Sequence, residues 1–323
     1  MRDWLHSIEA PAVLVTVAGV EGSAPREPGT HMLVTAAQVA GTVGGGHLEL
    51  RAIDLARGML AAGRQRHLER YALGPSLGQC CGGAMLLVFE AVDAAHMALL
   101  AARRGQDSWR LTAIDGSARA LFDAAGEQLA GECAPAFARE GGTRLMQSPD
   151  GARWLVDAVR APRDHLLLFG AGHVGSAVVK ALADLPCTVS WVDERDALFP
   201  AQVPANVTIE ATDTPAAAVA AAPAGASYLV MTHSHALDQQ LCEAIMARAD
   251  VGWFGLIGSH TKRRQFEHRL RARGVDETRI AAMVCPVGLP GIKDKAPAVI
   301  AASVCAQLLM VWEARCAASP QGI

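Results

Sequence analysis

A chain of 323 residues is long for a single hydrophobic core and predicts two domains. Although 51% of it is hydrophobic, no apolar run reads as a membrane span, and a formal net charge of −3 gives no footprint for nucleic acid, so neither a membrane nor a nucleic acid is an expected partner. The opening MRDWLHSIEA lacks a charged region followed by an apolar one, which predicts a cytoplasmic protein without a secretory signal.

In chain order, Trp4, Leu5 and Ile8 have helical spacing and PAVLVTVAG reads as a strand. The stretch 22–29, GSAPREPG, is too rich in glycine and proline for regular structure. Two short strands, HMLVT and QVAGTV, lead to Gly44, Gly45 and Gly46 and then to a helix beginning HLELRAIDLARG. Three glycines ahead of a helix, whose first N–H groups lack internal partners, make either an anion cradle or a bare tight connection. Glu49 is favoured in that first turn by the helix dipole.

Cys80 and Cys81 follow in LGPSLGQCCGG. Neighbouring Cα atoms stand about 3.8 Å apart, short of the roughly 4.4–6.8 Å that a disulfide spans, so the pair is a poor staple. A thiolate here suits a soft metal ligand or a sulfur nucleophile, and the absence of C-x-x-C spacing disfavours zinc. Cys133, Cys187, Cys242, Cys305 and Cys316 stand alone and read as small buried hydrophobes.

Beyond this loop, AMLLVFEAV reads as a strand, AAHMALLAARRG as a helix, and WRLTAID with ARALFDAAG as a hairpin turning at Asp115 and Gly116. RWLVDAV is one more strand, and residues 126–149 carry no clear period. The stretch 161–164, APRD, reads as a linker, which places an N-terminal α/β domain with a mixed sheet at 1–160 and a second domain at 161–323.

In the second half, strands at 166–169, 188–192, 206–210, 227–232, 252–257 and 281–285 alternate with helices at 174–185, 215–222, 237–248, 262–273 and 297–315. This is the pattern of a Rossmann-like, doubly wound parallel sheet. Gly170, Gly172 and Gly175 have G-x-G-x-x-G spacing, and Asp193 lies where a ribose-binding carboxylate would sit. Ligands of such sheets bind beyond the carboxyl ends of the strands, where several polar loops converge. His233 and His235 are candidates for a metal or for hydrogen bonds to ligand or backbone, Ser259 for a helix cap, and Lys262 and Arg263 for an anion at a helix start. Taken alone, the glycine motif also admits an NAD(P)-dependent oxidoreductase, though the first half offers no clear acid/base and substrate pair.

With these residues in hand, the chain resembles the xanthine dehydrogenase accessory protein family, XdhC, and the related CoxI proteins. The resemblance runs through GSAPREPG (22–29), GTVGGGHLE (41–49), GQCCGG (78–83), LLLFGAGHVG (166–175), VDERDALFP (192–200), THSHALDQQL (232–241), GLIGSHTKRRQFEHRL (255–270) and CPVGLPGIKDKAPAVIAASV (285–304). It implies a cytoplasmic chaperone rather than an enzyme with turnover of its own. Such a chaperone binds the molybdenum cofactor, protects it while a cysteine desulfurase supplies its terminal sulfido ligand, and delivers it to the molybdenum subunit of xanthine dehydrogenase. The candidate cofactor-binding set is then Cys80 and Cys81, which are also the candidate contacts on the molybdenum side, with Arg26, Gly44, Gly45, Gly46, Gly170, Gly172, His173, Gly175, Asp193, His233, His235, Ser259, Lys262 and Arg263. A homodimer is the expected assembly. Near the C-terminus the chain departs from the family pattern, with Pro290, Lys293 and Lys295 inserted and Ala298 and Val299 where acidic residues are common.

Overall fold

The valine-rich run AVLVTVAGVE forms β1 (Ala12–Glu21), the middle strand of a five-stranded sheet. It is flanked by β2 (His31–Thr35), β3 (Val39–Gly41), β4 (Arg66–Ala72) and β5 (Ala84–Val92) in the order β3-β2-β1-β5-β4. This computed structural model describes residues 3–5, 11–74 and 82–318. Helix α1 (Gly46–Ala62) buries Leu48, Ala52, Ala56 and Met59, spaced by three and four, against Val13, Val15, Val17, Met32 and Phe89 of that sheet.

After α2 (Ala94–Ala102), a second sheet is built from β6 (Ser108–Ala113), β7 (Arg119–Asp123), β8 (Gln128–Gly131), β9 (Arg144–Gln147) and β10 (Arg153–Val159), in the order β8-β7-β6-β10-β9. Every pairing in both sheets is antiparallel, which corrects the expected mixed sheet: each connection is a hairpin or a return, and none is a right-handed crossover. Leu14, Leu33 and Val92 of the first sheet pack with Leu121 and Val159 of the second, and Val88 packs with Leu155.

A buried ionic cluster lies in the same layer. Arg110 donates through Nη1 to Asp157 Oδ2 at 2.7 Å and through Nη2 to Glu90 Oε2. His31 Nε2 lies 2.9 Å from Asp157 Oδ2, Thr143 donates to Asp157 Oδ1 at 3.0 Å, and Thr112 donates to Glu90 Oε2 at 3.1 Å. Trp4 stacks on His31 with ring centroids 4.2 Å apart. Arg110, Asp157 and Glu90 are all essentially sealed from solvent.

The chain divides into two compact units between Ala161 and Pro162. The second unit is wound on β11 (Asp164–Phe169), whose Leu166 and Leu168 face one way and Leu167 and Phe169 the other. With β12 (Cys187–Asp193), β13 (Val207–Ala211), β14 (Ser227–Val230) and β15 (Trp253–Leu256) it forms an all-parallel sheet in the order β13-β12-β11-β14-β15. One face is covered by α4 (Pro215–Ala221), α5 (His235–Ala247), α6 (His260–Ala272) and α7 (Glu277–Ala282). The other is covered by α3 (His173–Leu182) and α8 (Pro297–Ala318), the latter through Ala301, Val304, Leu308 and Trp312.

The sixth strand expected at 281–285 is not formed. Asp276 caps α7, which consumes residues through Ala282, and the remainder adds a single parallel bridge from Val284 to Gly255. By length and composition α8 is long and apolar enough to cross a membrane, which corrects the expectation that no stretch is. About a third of that stretch is buried, and Trp312 Nε1 donates to Ser227 Oγ at 3.0 Å beneath it.

Candidate functional site

In the N-terminal unit, three of the sequence motifs meet at one end of the first sheet. The 22–29 loop leaves β1 and returns to β2, closed at its neck by Gly29 N to Val17 O and Val17 N to Thr30 O, each 2.9 Å. Gly44 lies against it: a Cβ there would stand 2.5 Å from Pro25 Cγ and 3.8 Å from Arg26 Cγ. Gly83 lies against it too, its Cα flanked by backbone so tightly that a Cβ would fall 2.3 Å from Glu21 O and 2.4 Å from Ser23 O. Leu73 N donates to Gly83 O at 2.8 Å, which ties the two ends of the segment that carries Cys80 and Cys81. Cys80 and Cys81 themselves lie outside the described residues. Arg26 is exposed and has no hydrogen bond or ion pair among the described residues.

The glycines at 44–46 do not form an open cradle. Gly44 N donates to the Thr42 hydroxyl oxygen at 3.1 Å, and Glu49 Oε2 accepts from Val43 N and Gly45 N, each at 3.1 Å, and from the Thr42 hydroxyl. Glu49 stands four residues after the N-cap Gly45 and reaches back from the first turn to its N–H, which satisfies one of the donors that a helix start leaves without an internal partner. Glu49→Ala is expected to lower stability by about 1–3 kcal/mol, because these donors lose a charged acceptor in a part-buried place. Chemical denaturation of the variant would measure it, and an unchanged midpoint would show that water replaces the carboxylate.

In the C-terminal unit, the loop after β11 and the loop after β14 open from adjacent strands, the point where the strand order reverses. Gly170, Gly172, His173 and Gly175 turn β11 into α3, with Gly172 as the N-cap and both Gly172 and His173 exposed. Asp193 ends β12 beside them and accepts from Ala171 N at 2.6 Å and from Arg195 through N, Nε and Nη2, each at 2.9 Å. Burial would raise the Asp193 pKa, but Arg195 and the two backbone N–H groups together bring it below the ordinary value. Sequence reasoning missed Arg195, although it stands only two residues from Asp193.

Beyond β14 and β15, Asp238 is sealed from solvent and accepts from Thr232 N at 3.1 Å and from Lys262 Nζ at 2.6 Å. Lys262 also donates to Ile257 O at 2.8 Å, so its charge is spent on joining the starts of α5 and α6. Arg263 turns to Glu267 and to Cys285 O, at 2.7 and 3.0 Å. Neither cation is presented as a free anion site. Ser259 accepts from Lys262 N at 3.2 Å and is the cap of α6, while His233 and His235 are exposed. Cys187, Cys242, Cys285 and Cys305 are buried, and burial raises every one of these thiols, Cys187 to about 12, Cys285 and Cys305 to about 11, and Cys242 strongly as well.

Comparison with known proteins bears on both units. Residues 166–308 match the profile described as the XdhC Rossmann domain, and residues 6–72 match that of the XdhC and CoxI family. Between them the two matches span more than half of the chain. The chain belongs to the XdhC and CoxI family. It is 31% identical over 176 residues to Uncharacterized protein YqeB of Escherichia coli (strain K12), a match that covers 54% of this chain and 32% of that protein. The chain therefore spans about a third of the length of that relative. A crystal structure described as a xanthine dehydrogenase from Bacillus halodurans superposes with a TM-score of 0.76 at 21% identity, covering 98% of this chain and 96% of that one. That likeness concerns the fold.

Proposed function

We propose that this chain serves the maturation of xanthine dehydrogenase by holding the molybdenum cofactor as cargo. Membership of the XdhC and CoxI family supports the maturation role. In this reading the cargo is sheltered in the cytoplasm while a cysteine desulfurase supplies the terminal sulfido ligand, and is then passed to the molybdenum subunit of the enzyme by a homodimer of this chain.

The observation that carries the binding step is the meeting of the 22–29 loop with Gly83 at one end of the cysteine-bearing segment, whose other end is tied to Gly83 through Leu73 N. One residue, Gly82, separates Cys81 from Gly83, so the cysteine pair is joined within about 7 Å of chain to the glycine that abuts the loop carrying the exposed Arg26. Thiolates are soft donors suited to the sulfur-ligated metal side of the cargo, and a guanidinium suits its phosphate. Glu49 already fills the glycine turn, so in this unit Arg26 is the group offered to the anion.

The test is retention of the cofactor by the purified full chain. Wild type is expected to hold about one cofactor per chain, and the Cys80→Ala/Cys81→Ala double variant to lose it at least tenfold faster with an unchanged circular dichroism spectrum. Undiminished retention in the double variant removes the thiols from the site, and no retention by wild type removes the cargo reading.

A further inference from the structure

The Rossmann fold of the C-terminal unit implies a dinucleotide in the crevice beyond β11, and the residues there answer in two parts. The pyrophosphate position fits. A Cβ on Gly170 would stand 2.4 Å from Met231 O, and one on Gly175 would stand 2.1 Å from Gly170 O, so the fold itself requires both glycines. Gly172 is different. Its φ of −74° and ψ of −173° are extended backbone that any residue adopts, and a Cβ there would meet nothing within 4 Å. The protein has no need of a glycine at this place, whereas a diphosphate approaching the first N–H groups of α3 does.

The ribose position does not fit. A carboxylate that reads ribose hydroxyls must keep a lone pair free toward the crevice, and an ionised carboxylate has about four acceptor sites in all. Asp193 has all of them engaged: Oδ1 by Arg195 N and Nε, Oδ2 by Ala171 N and Arg195 Nη2. Its side chain is 3% exposed. Accepting a sugar hydroxyl would mean giving up a charge-assisted bond or the bond that shapes the Ala171 turn. A 2′-phosphate fares no better, because Asp193 neutralises Arg195 while Glu194 and Asp196 are exposed on either side.

We propose that this crevice binds nucleoside diphosphate esters through the backbone at Gly172 without reading the ribose, so that Asp193 is a strut of the turn and the site neither recognises the ribose hydroxyls of NAD nor accommodates the 2′-phosphate of NADP. The proposal concerns the C-terminal unit alone and does not rest on the cargo reading. Calorimetry on the full chain with ADP, 2′,3′-dideoxy-ADP, NAD and NADP tests it. ADP and dideoxy-ADP are expected to bind within about twofold of each other, and NADP at least tenfold more weakly than NAD or not at all. Binding of ADP without NAD assigns the site to mononucleotides, and binding of both extends it to dinucleotides. Gly172→Ala, which meets no neighbour and so leaves the fold intact, is expected to weaken every diphosphate at least tenfold. Asp193→Asn is expected to change ADP and dideoxy-ADP by the same factor. A tenfold preference for ADP over dideoxy-ADP, a preference for NADP, no binding of any of these esters at millimolar concentration, or unaltered affinity in Gly172→Ala would each overturn the proposal.

Discussion

Arg110→Ala is expected to destabilise the N-terminal unit by about 3–5 kcal/mol at neutral pH, because it leaves Glu90 and Asp157 buried with too little positive charge. Burial alone would raise the Glu90 pKa, yet Arg110, then His96 and Arg66, hold it below the ordinary value. Asp157 is likewise lowered against its burial, by His31 and Arg110. Carboxylates held low in this way contribute stability that is present above the ordinary carboxylate range and lost as pH falls below it. In the variant, burial of Glu90 is no longer offset and its pKa rises, so the penalty grows as pH rises through the ordinary carboxylate range. The deficit between wild type and variant should therefore shrink on acidification. His96 is held at about 4 by burial and by Arg110, and its own contribution in wild type is lost between about 6.5 and 4 as pH falls. Urea unfolding of both proteins at pH 7 and near pH 4.5 measures the difference, and an equal deficit at the two values would show that Glu90 remains compensated without Arg110.

Gly83→Ala is the second large effect. The added methyl would lie inside van der Waals distance of the Glu21 and Ser23 carbonyl oxygens, which are backbone and cannot rotate away. The segment must move off the 22–29 loop, at a cost of about 1–3 kcal/mol. Under the cargo reading the same displacement disturbs the attachment of the cysteine-bearing segment to the Arg26 loop, so cofactor retention should fall at least tenfold although both thiols are intact. Gly82→Ala is the control, since a Cβ there meets nothing within 4 Å among the described residues. A Gly83→Ala protein that loses stability but retains cofactor like wild type would show that the loop contact serves folding only.

The parallel sheet was legible because its strands are buried on both faces and read as short apolar runs, as LLLF does between the linker and the glycines. The stretch 281–285 looks the same, and what decides against it is the capping of α7 by Asp276, a local preference that competes with a weak edge pairing. In the first half, Arg110 alternates with Trp109 and Leu111 as the solvent side of a strand would, and Glu90 and Asp157 are single charges within the apolar runs AMLLVFEAV and RWLVDAV. A second sheet covers that side, and nothing within one strand reports on what will be laid over it. Strands β4, β8 and β9 were missed because RHLERYA, QLAG and RLMQ carry little apolar pattern and are held at or near sheet edges by pairing. At the candidate sites the glycines and the first-turn place of Glu49 were legible, but the return of the Glu49 carboxylate to Val43 N and Gly45 N and the closing of Arg195 on Asp193 were not. Their effect depends on where a flexible side chain folds back.

Helix α8 sets an order of assembly. The sheet of the second unit is complete in strands by Leu256, yet one of its faces gains Ala301, Val304, Leu308 and Trp312 only when residues some fifty positions later have been made. During synthesis from the N-terminus, the first unit has all of its sheets before the second begins, whereas this face of the Rossmann sheet must wait with α3 alone packed against it. The nascent chain thus passes through a stage at which one apolar face of its parallel sheet is half wrapped, and α8 is the helix that closes it.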